Sequence, residues 1–257
     1  MRFTVTFEAP EPDAAGSGPV TVGWLHNVRQ GSVIYDPPTR VRSDAPNREV
    51  AKSASRCPAI LGLEGRMFEI ACPVDLSLEF VRDDCGRPAV VDRRGAAAPM
   101  RADRLDELIV WTEESEWRHP ERPTLQLMLP YVFLADEPVY MAQLPPICHY
   151  RPEGLPGLML GGRFPIHVWP RPLMWAFEWH DTTRPLELRR GEPLCYVQFE
   201  TLPQHRPVQL VEATRTADLE EYLEMIAGAV NYVGQTFSLF KAAEARRPAR
   251  LLVPRER

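Results

Sequence analysis

At 257 residues, 44% of them apolar and including 6 Trp, 10 Phe and 7 Tyr, the chain is long enough to bury one large core or two small ones. A formal charge of -5 argues against broad electrostatic capture of nucleic acid, and no run of 18 or more apolar residues offers a membrane span. Five widely spaced cysteines without a C-x-x-C pair suggest neither a disulfide framework nor a zinc ribbon. With no apolar run of signal-peptide length in MRFTVTFEAPEP, a soluble cytoplasmic protein with reduced thiols is expected.

The 27 prolines punctuate the chain from end to end and rule out long helices through most of it, since an interior proline costs a helix roughly 3 kcal/mol. Phe3, Val5 and Phe7 alternate along Arg2 to Glu8 as a first half-buried strand, and Pro10 to Pro19 reads as a loop. Residues 36–55 are polar and Pro-containing, an arm that is either ordered over the surface or flexible. Two strand-like pieces between Met67 and Phe80 are separated by Pro73, which suits an edge or a sheet corner. Arg82 to Ala98 reads as a loop. Asp103 to Thr112 fits helix and strand templates equally poorly, and strands follow at Thr124 to Leu134 and Val139 to Leu144. From Gly161 to Glu200 aromatic and aliphatic residues alternate with polar ones in two further strand-like runs.

One long helix is expected over residues 216–247. Thr216 suits its N-cap and Asp218, Glu220 and Glu221 its positive end. Leu219, Tyr222, Leu223, Ile226, Val230, Val233, Phe237 and Phe240 recur at helical spacing, and Pro248 ends it. Gly228 and Gly234 mark a kink or a close approach.

A strand over Met174 to His180 puts Trp175, Phe177 and Trp179 on one face and Ala176, Glu178 and His180 on the other. Glu178 and His180, with His167 from the preceding run, form a candidate two-histidine, one-carboxylate set for Fe(II) or Zn, with His149 and Cys148 as further candidate ligands. A hydrogen-bonded His/Glu pair without metal is the commoner outcome for such spacing. Trp175, Phe177, Trp179 and the nearby Trp169 are candidates for stacking a ligand ring, although core packing explains them more simply. Arg163, Arg171, Arg184, Arg189 and Arg190 surround the segment and can read carboxylate or phosphate groups, or else lie solvated at strand ends. No P-loop, dinucleotide fingerprint, G-x-S-x-G elbow or H-E-x-x-H helix is present.

Three blocks carry a resemblance: Arg56-Cys57-Pro58 through Gly65 with Phe68-Glu69-Ile70 and Cys72-Pro73-Val74-Asp75; Leu129-Pro130-Tyr131-Val132-Phe133 with Pro145-Pro146; and Arg190-Gly191-Glu192-Pro193-Leu194-Cys195. They resemble an uncharacterised domain family of bacteria and tailed phages, which implies a shared fold over about residues 40–200 and no activity. The stretch GLMLGG followed by LELRRGEPLCYVQF is also similar to the tail of dUTPase and dCTP-deaminase-like β-clip domains. Those enzymes place an acidic residue just after the first glycine of this region. Leu158 to Gly162 hold no carboxylate here, so the resemblance implies the fold without the dUTPase mechanism.

The sequence therefore predicts a mainly β protein, a β-sandwich or β-clip-like barrel in one domain over residues 1–210. A C-terminal amphipathic helix, within residues 211–257, packs on it or on the partner in a homodimer. The expected function is a non-catalytic or accessory binding role toward a small molecule or peptide, with Arg163, Trp169, Trp175 and Arg190 as ligand contacts. The alternatives are an Fe(II)- or Zn-dependent enzyme built on His167, Glu178 and His180, and a phage or assembly component. Neither a membrane nor nucleic acid at large is an expected partner.

Overall fold

The computed structural model describes residues 18–27, 33–42, 56–203, 206–229 and 236–256. The strand expected at Arg2 to Glu8, and residues 43–55 of the polar arm, lie outside the described residues.

In chain order come β1 (Val20–His26), β2 (Thr39–Arg40), α1 (Pro58–Glu64), β3 (Met67–Ala71), β4 (Leu76–Arg82), β5 (Pro88–Asp92), α2 (Ala102–Leu108) and β6 (Ile109–Trp111). The long β7 (Thr124–Leu134) and β8 (Val139–Leu144) lead to β9 (Gly157–Leu160), β10 (Gly162–Pro165), β11 (Pro172–Trp179), β12 (Leu186–Leu188), β13 (Pro193–Thr201) and β14 (Val208–Glu212). Two helices, α3 (Ala217–Ala229) and α4 (Thr236–Arg246), follow.

The strands form three sheets, and the fold is mainly β and sandwich-like. The first has the order β14-β1-β7-β11-β9, with β6 also paired to β7; the second is β10-β8-β13-β3-β2; the third is β12-β4-β5. Among the described residues none of them closes into a barrel. All the named pairings are antiparallel except β1 with β14.

Strand β7 organises the first sheet. Leu125, Leu127, Leu129, Tyr131 and Phe133 alternate onto its inner face, where they meet Met141, Cys195, Val197 and Phe199 of the second sheet and Leu76, Leu78 and Leu186 of the third. One edge of β7 pairs first with β6, at Leu125 to Leu127, and then with β1, at Tyr131 to Leu134. Pro130 falls where the partner changes, a place at which a missing N–H costs no ladder bond.

On the outer face of β7, Val132 and Leu134 are buried beneath the helices, while Gln126 and Met128 keep partial exposure. Thr216 caps α3 as its sequence predicts, its Oγ1 accepting from the Leu219 amide at 3.2 Å. Leu219, Tyr222, Leu223 and Ile226 then pack on the first sheet. The Tyr222 hydroxyl donates toward the Val168 carbonyl (2.8 Å) and lies 3.1 Å from the Ala243 carbonyl. The described part of the apolar stripe packs within the chain, while Val230, Val233, the Gly234 position and the Phe237 side chain fall outside the described residues. Gly23 lets the C-terminal segment close in, because a Cβ there would overlap the Leu252 side chain.

Three local expectations change. The single helix expected over residues 216–247 is two helices, α3 and α4, which pack together so that the Tyr222 hydroxyl meets the Ala243 carbonyl. Residues 88–92 within the expected loop form β5, a hairpin with β4: Gly86 supplies a φ of 78° and Asp83 Oδ1 accepts from the Cys85 and Arg87 amides. The punctuating Gly, Pro and Asp residues mark the turn, and the PAVVD run beside them is the returning strand. Asp103 to Thr112 satisfies both templates because it holds both: α2 ends at Leu108 and β6 begins at Ile109. Pro73 marks a sheet corner, between β3 of the second sheet and β4 of the third.

Candidate functional site

Strand β11 has the two faces its alternation predicts. Trp175, Phe177 and Trp179 are all 0% exposed. Trp175 and Phe177 stack at 5.1 Å between centroids and 6° between planes. The Trp175 indole N–H donates to the Leu194 carbonyl at 3.0 Å, and the Trp179 N–H reaches the Asp181 and Arg184 carbonyls. Trp169 is 7% exposed and meets Phe240 edge-on at 5.3 Å. The ring platform expected from Trp169 and Trp175 is therefore corrected: these rings fill the interior, where each buried side chain contributes about 2 to 3 kcal/mol.

Glu178 faces away from that core yet is only 1% exposed, because Arg118 and Arg122 lie over it. Arg118 donates to Glu178 Oε2, and His180 Nε2 donates to Oε1 at 2.9 Å. Burial pushes the Glu178 carboxyl up, but the Arg118 hydrogen bond and charge, with His180 behind them, more than offset this and hold it below the ordinary carboxylate range.

His167 does not join them. The chain leaves the second sheet at Pro165 and enters the first at Pro172, so His167 lies in the intervening turn. Its Nδ1 sits 3.0 Å from the Val139 carbonyl oxygen and 3.2 Å from the Val139 amide. The expected set of His167, Glu178 and His180 is thus split between two sheets. Among the described residues no group of three or more His, Cys, Asp and Glu side chains is arranged to hold a metal ion. His149 is elsewhere again, 3.9 Å from Glu192.

The arginines also part company. Arg163 on β10 is committed to Glu200 (2.7 Å) and lies over the Tyr140 ring. Arg171 is part-buried, and burial pushes its pKa down; its guanidinium approaches Met174 Sδ at 3.6 Å. Arg184, Arg189 and Arg190 converge near the turn between β12 and β13, where Gly191 takes a φ of 81°.

That turn separates two depressions. One, of about 420 Å³, runs between the His149–Gly154 loop and the turn, with Arg151, Arg184, Arg189, Glu187 and Glu192 on its walls. Arg151 binds Glu192 (2.7 Å) and the Glu187 carbonyl (2.6 Å), which pins the two walls together, and Tyr150 stands at the edge 83% exposed. The other, of about 670 Å³, lies across the turn, where Arg190, Arg101 and Arg104 border Ile34, Val74 and Met100. Asp75 Oδ1 accepts from the Arg190 amide at 2.8 Å and ties the turn to the link between β3 and β4.

A feature without a clear sequence signal is His26, which sits among Tyr131 (4.9 Å), Trp24 (5.2 Å) and Tyr35 (5.9 Å). Its buried Nε2 has no hydrogen-bond partner among the described residues, and burial outweighs the pull of Glu212 to lower its pKa. The β1 register sets His26 opposite Tyr131, and the chain between β1 and β2 brings Tyr35 to them.

No protein-family model matches the chain, and no curated protein matches it. Among the described residues no helix is long and apolar enough to cross a membrane.

Proposed function

We propose that the protein is a binding module whose contact surface is the corner around the turn between β12 and β13. The observation that carries this reading is that two depressions meet at one short turn, Arg189 facing one and Arg190 the other. Both are lined by arginine and by carboxylate or aliphatic side chains, while the tryptophans are committed to the core. Recognition by guanidinium groups suits carboxylate-bearing small molecules and peptides, which a planar fork reads bidentately. The same reading places the protein in a reducing cytoplasm, where the exposed Cys57, Cys85 and Cys148 remain thiols.

Thermal unfolding of the purified chain across a panel of carboxylate metabolites and short peptides tests it, with Arg189→Glu and Arg190→Glu run in parallel. A ligand at 100 times its Kd contributes about 2.7 kcal/mol, which raises the Tm of a domain this size by roughly 5 to 10 °C. At least one compound is expected to do so in the parent and to lose the effect in one variant. Shifts that survive both substitutions, or no shift at all, would sink the proposal.

A further inference from the structure

Most guanidinium groups near this corner already have partners: Arg94 holds Asp92, Arg104 holds Glu107, and Arg151 holds Glu192. Arg101 and Arg190 differ. Both are exposed, both border the 670 Å³ groove, and neither side chain makes an ion pair or hydrogen bond among the described residues. Among the described lining residues the one carboxylate is Asp75, whose Oδ1 accepts from the Arg190 amide and whose single charge is outnumbered by the two free guanidinium groups. The charge offered to a ligand is therefore positive.

The rest of the lining is apolar. Val74 and Met100 are partly buried and continuous with the main core, whereas Ile34 is 71% exposed. Pro73 and Pro99 flank them and bring no side-chain donor. A wall of aliphatic carbon bordered by two uncommitted guanidinium groups is complementary to a segment that carries carboxylates close to an aliphatic side chain. A purely ionic ligand would leave the aliphatic wall in water, and a purely apolar one would leave both cations without a counter-charge.

We infer that this groove binds an acidic, aliphatic peptide segment, its carboxylates on Arg101 and Arg190 and its apolar residue on Ile34, Val74 and Met100. The inference rests on the binding reading above and narrows it to one side of the turn and one ligand chemistry.

Fluorescence anisotropy with three labelled ten-residue peptides decides it: one combining Asp/Glu with Leu, one with Asn/Gln replacing the acids, and one with Ser replacing Leu. The first is expected to bind, more weakly as NaCl rises. The other two, and the first toward Arg101→Glu/Arg190→Glu, are expected to bind about tenfold or more weakly. Arg255→Glu, near the C-terminal end of the described residues and outside the groove lining, serves as the charge control and is expected to leave binding unchanged. Equal binding of the Ser peptide overturns the apolar part, and binding that survives the double variant, or is lost equally in the control, overturns the site. Should the first peptide not bind while a panel compound still depends on Arg189 or Arg190, the ligand class is wrong and the binding corner stands.

Discussion

The Trp175 indole N–H donates to the carbonyl of Leu194 at 3.0 Å, from β11 of the first sheet to β13 of the second. This bond joins the two layers through the most buried part of the core. Trp175→Phe leaves that carbonyl without a partner and removes ring volume, an expected loss of about 2 to 4 kcal/mol. A lower urea midpoint with an unchanged m-value would register it, whereas an unmoved midpoint would mean that the bond contributes nothing.

Gly157→Ala tests the edge of the same sheet. A Cβ at Gly157 would overlap the Glu178 carbonyl oxygen and come within 2.8 Å of the Phe177 ring. The expected cost is about 2 kcal/mol or more, with faster amide exchange along β9 and the facing half of β11. Parent-like exchange there would contradict the packing.

Tyr222→Phe removes the hydroxyl that joins α3 to the Val168 carbonyl and α4. A loss of about 1 to 2 kcal/mol in chemical denaturation is expected, together with greater proteolysis of the C-terminal helices under native conditions. Unchanged cleavage would show that the apolar contacts suffice by themselves.

Thiol accessibility divides the five cysteines. Burial pushes Cys72 up to about 11 and Cys195 up to about 12, and Gln143 donates to the Cys195 sulfur. In native protein a thiol reagent should titrate Cys57, Cys85 and Cys148 rapidly, with Cys72 and Cys195 reacting only after unfolding. Rapid native labelling of all five would refute this burial.

His26 and Glu178 contribute to the acid side of the stability profile in different pH windows. His26 has a lowered pKa in the fold, so protons favour the unfolded chain, and stability falls as pH drops below the ordinary histidine value of 6.5. Glu178 is depressed below 4.5; its contribution is present above that value and is lost as pH falls through the folded one. His26→Phe should lessen the slope of the unfolding free energy between pH 7 and 5, and Glu178→Gln should lessen it below pH 4.5. An identical slope in either variant would remove that group from the account.

The sequence by itself determined the local elements whose cause is local. Alternation along β11 assigned its faces, Thr216 started α3, and Pro73 marked an edge or a corner, because side-chain period, capping oxygen and missing N–H act within a few residues. What only the tertiary structure decided is which faces meet. Glu178 and His180 are neighbours through a period of two and remain together, but His167 reaches the same region only if β10 and β11 share a sheet, and they do not. Burial of Trp169 likewise depends on α4 lying over it, a contact between residues distant in sequence. The two clefts follow the same logic: Arg101 and Arg190 are brought to one groove by the corner between sheets, and hydrophobic patterning specifies that a face is buried without specifying against what.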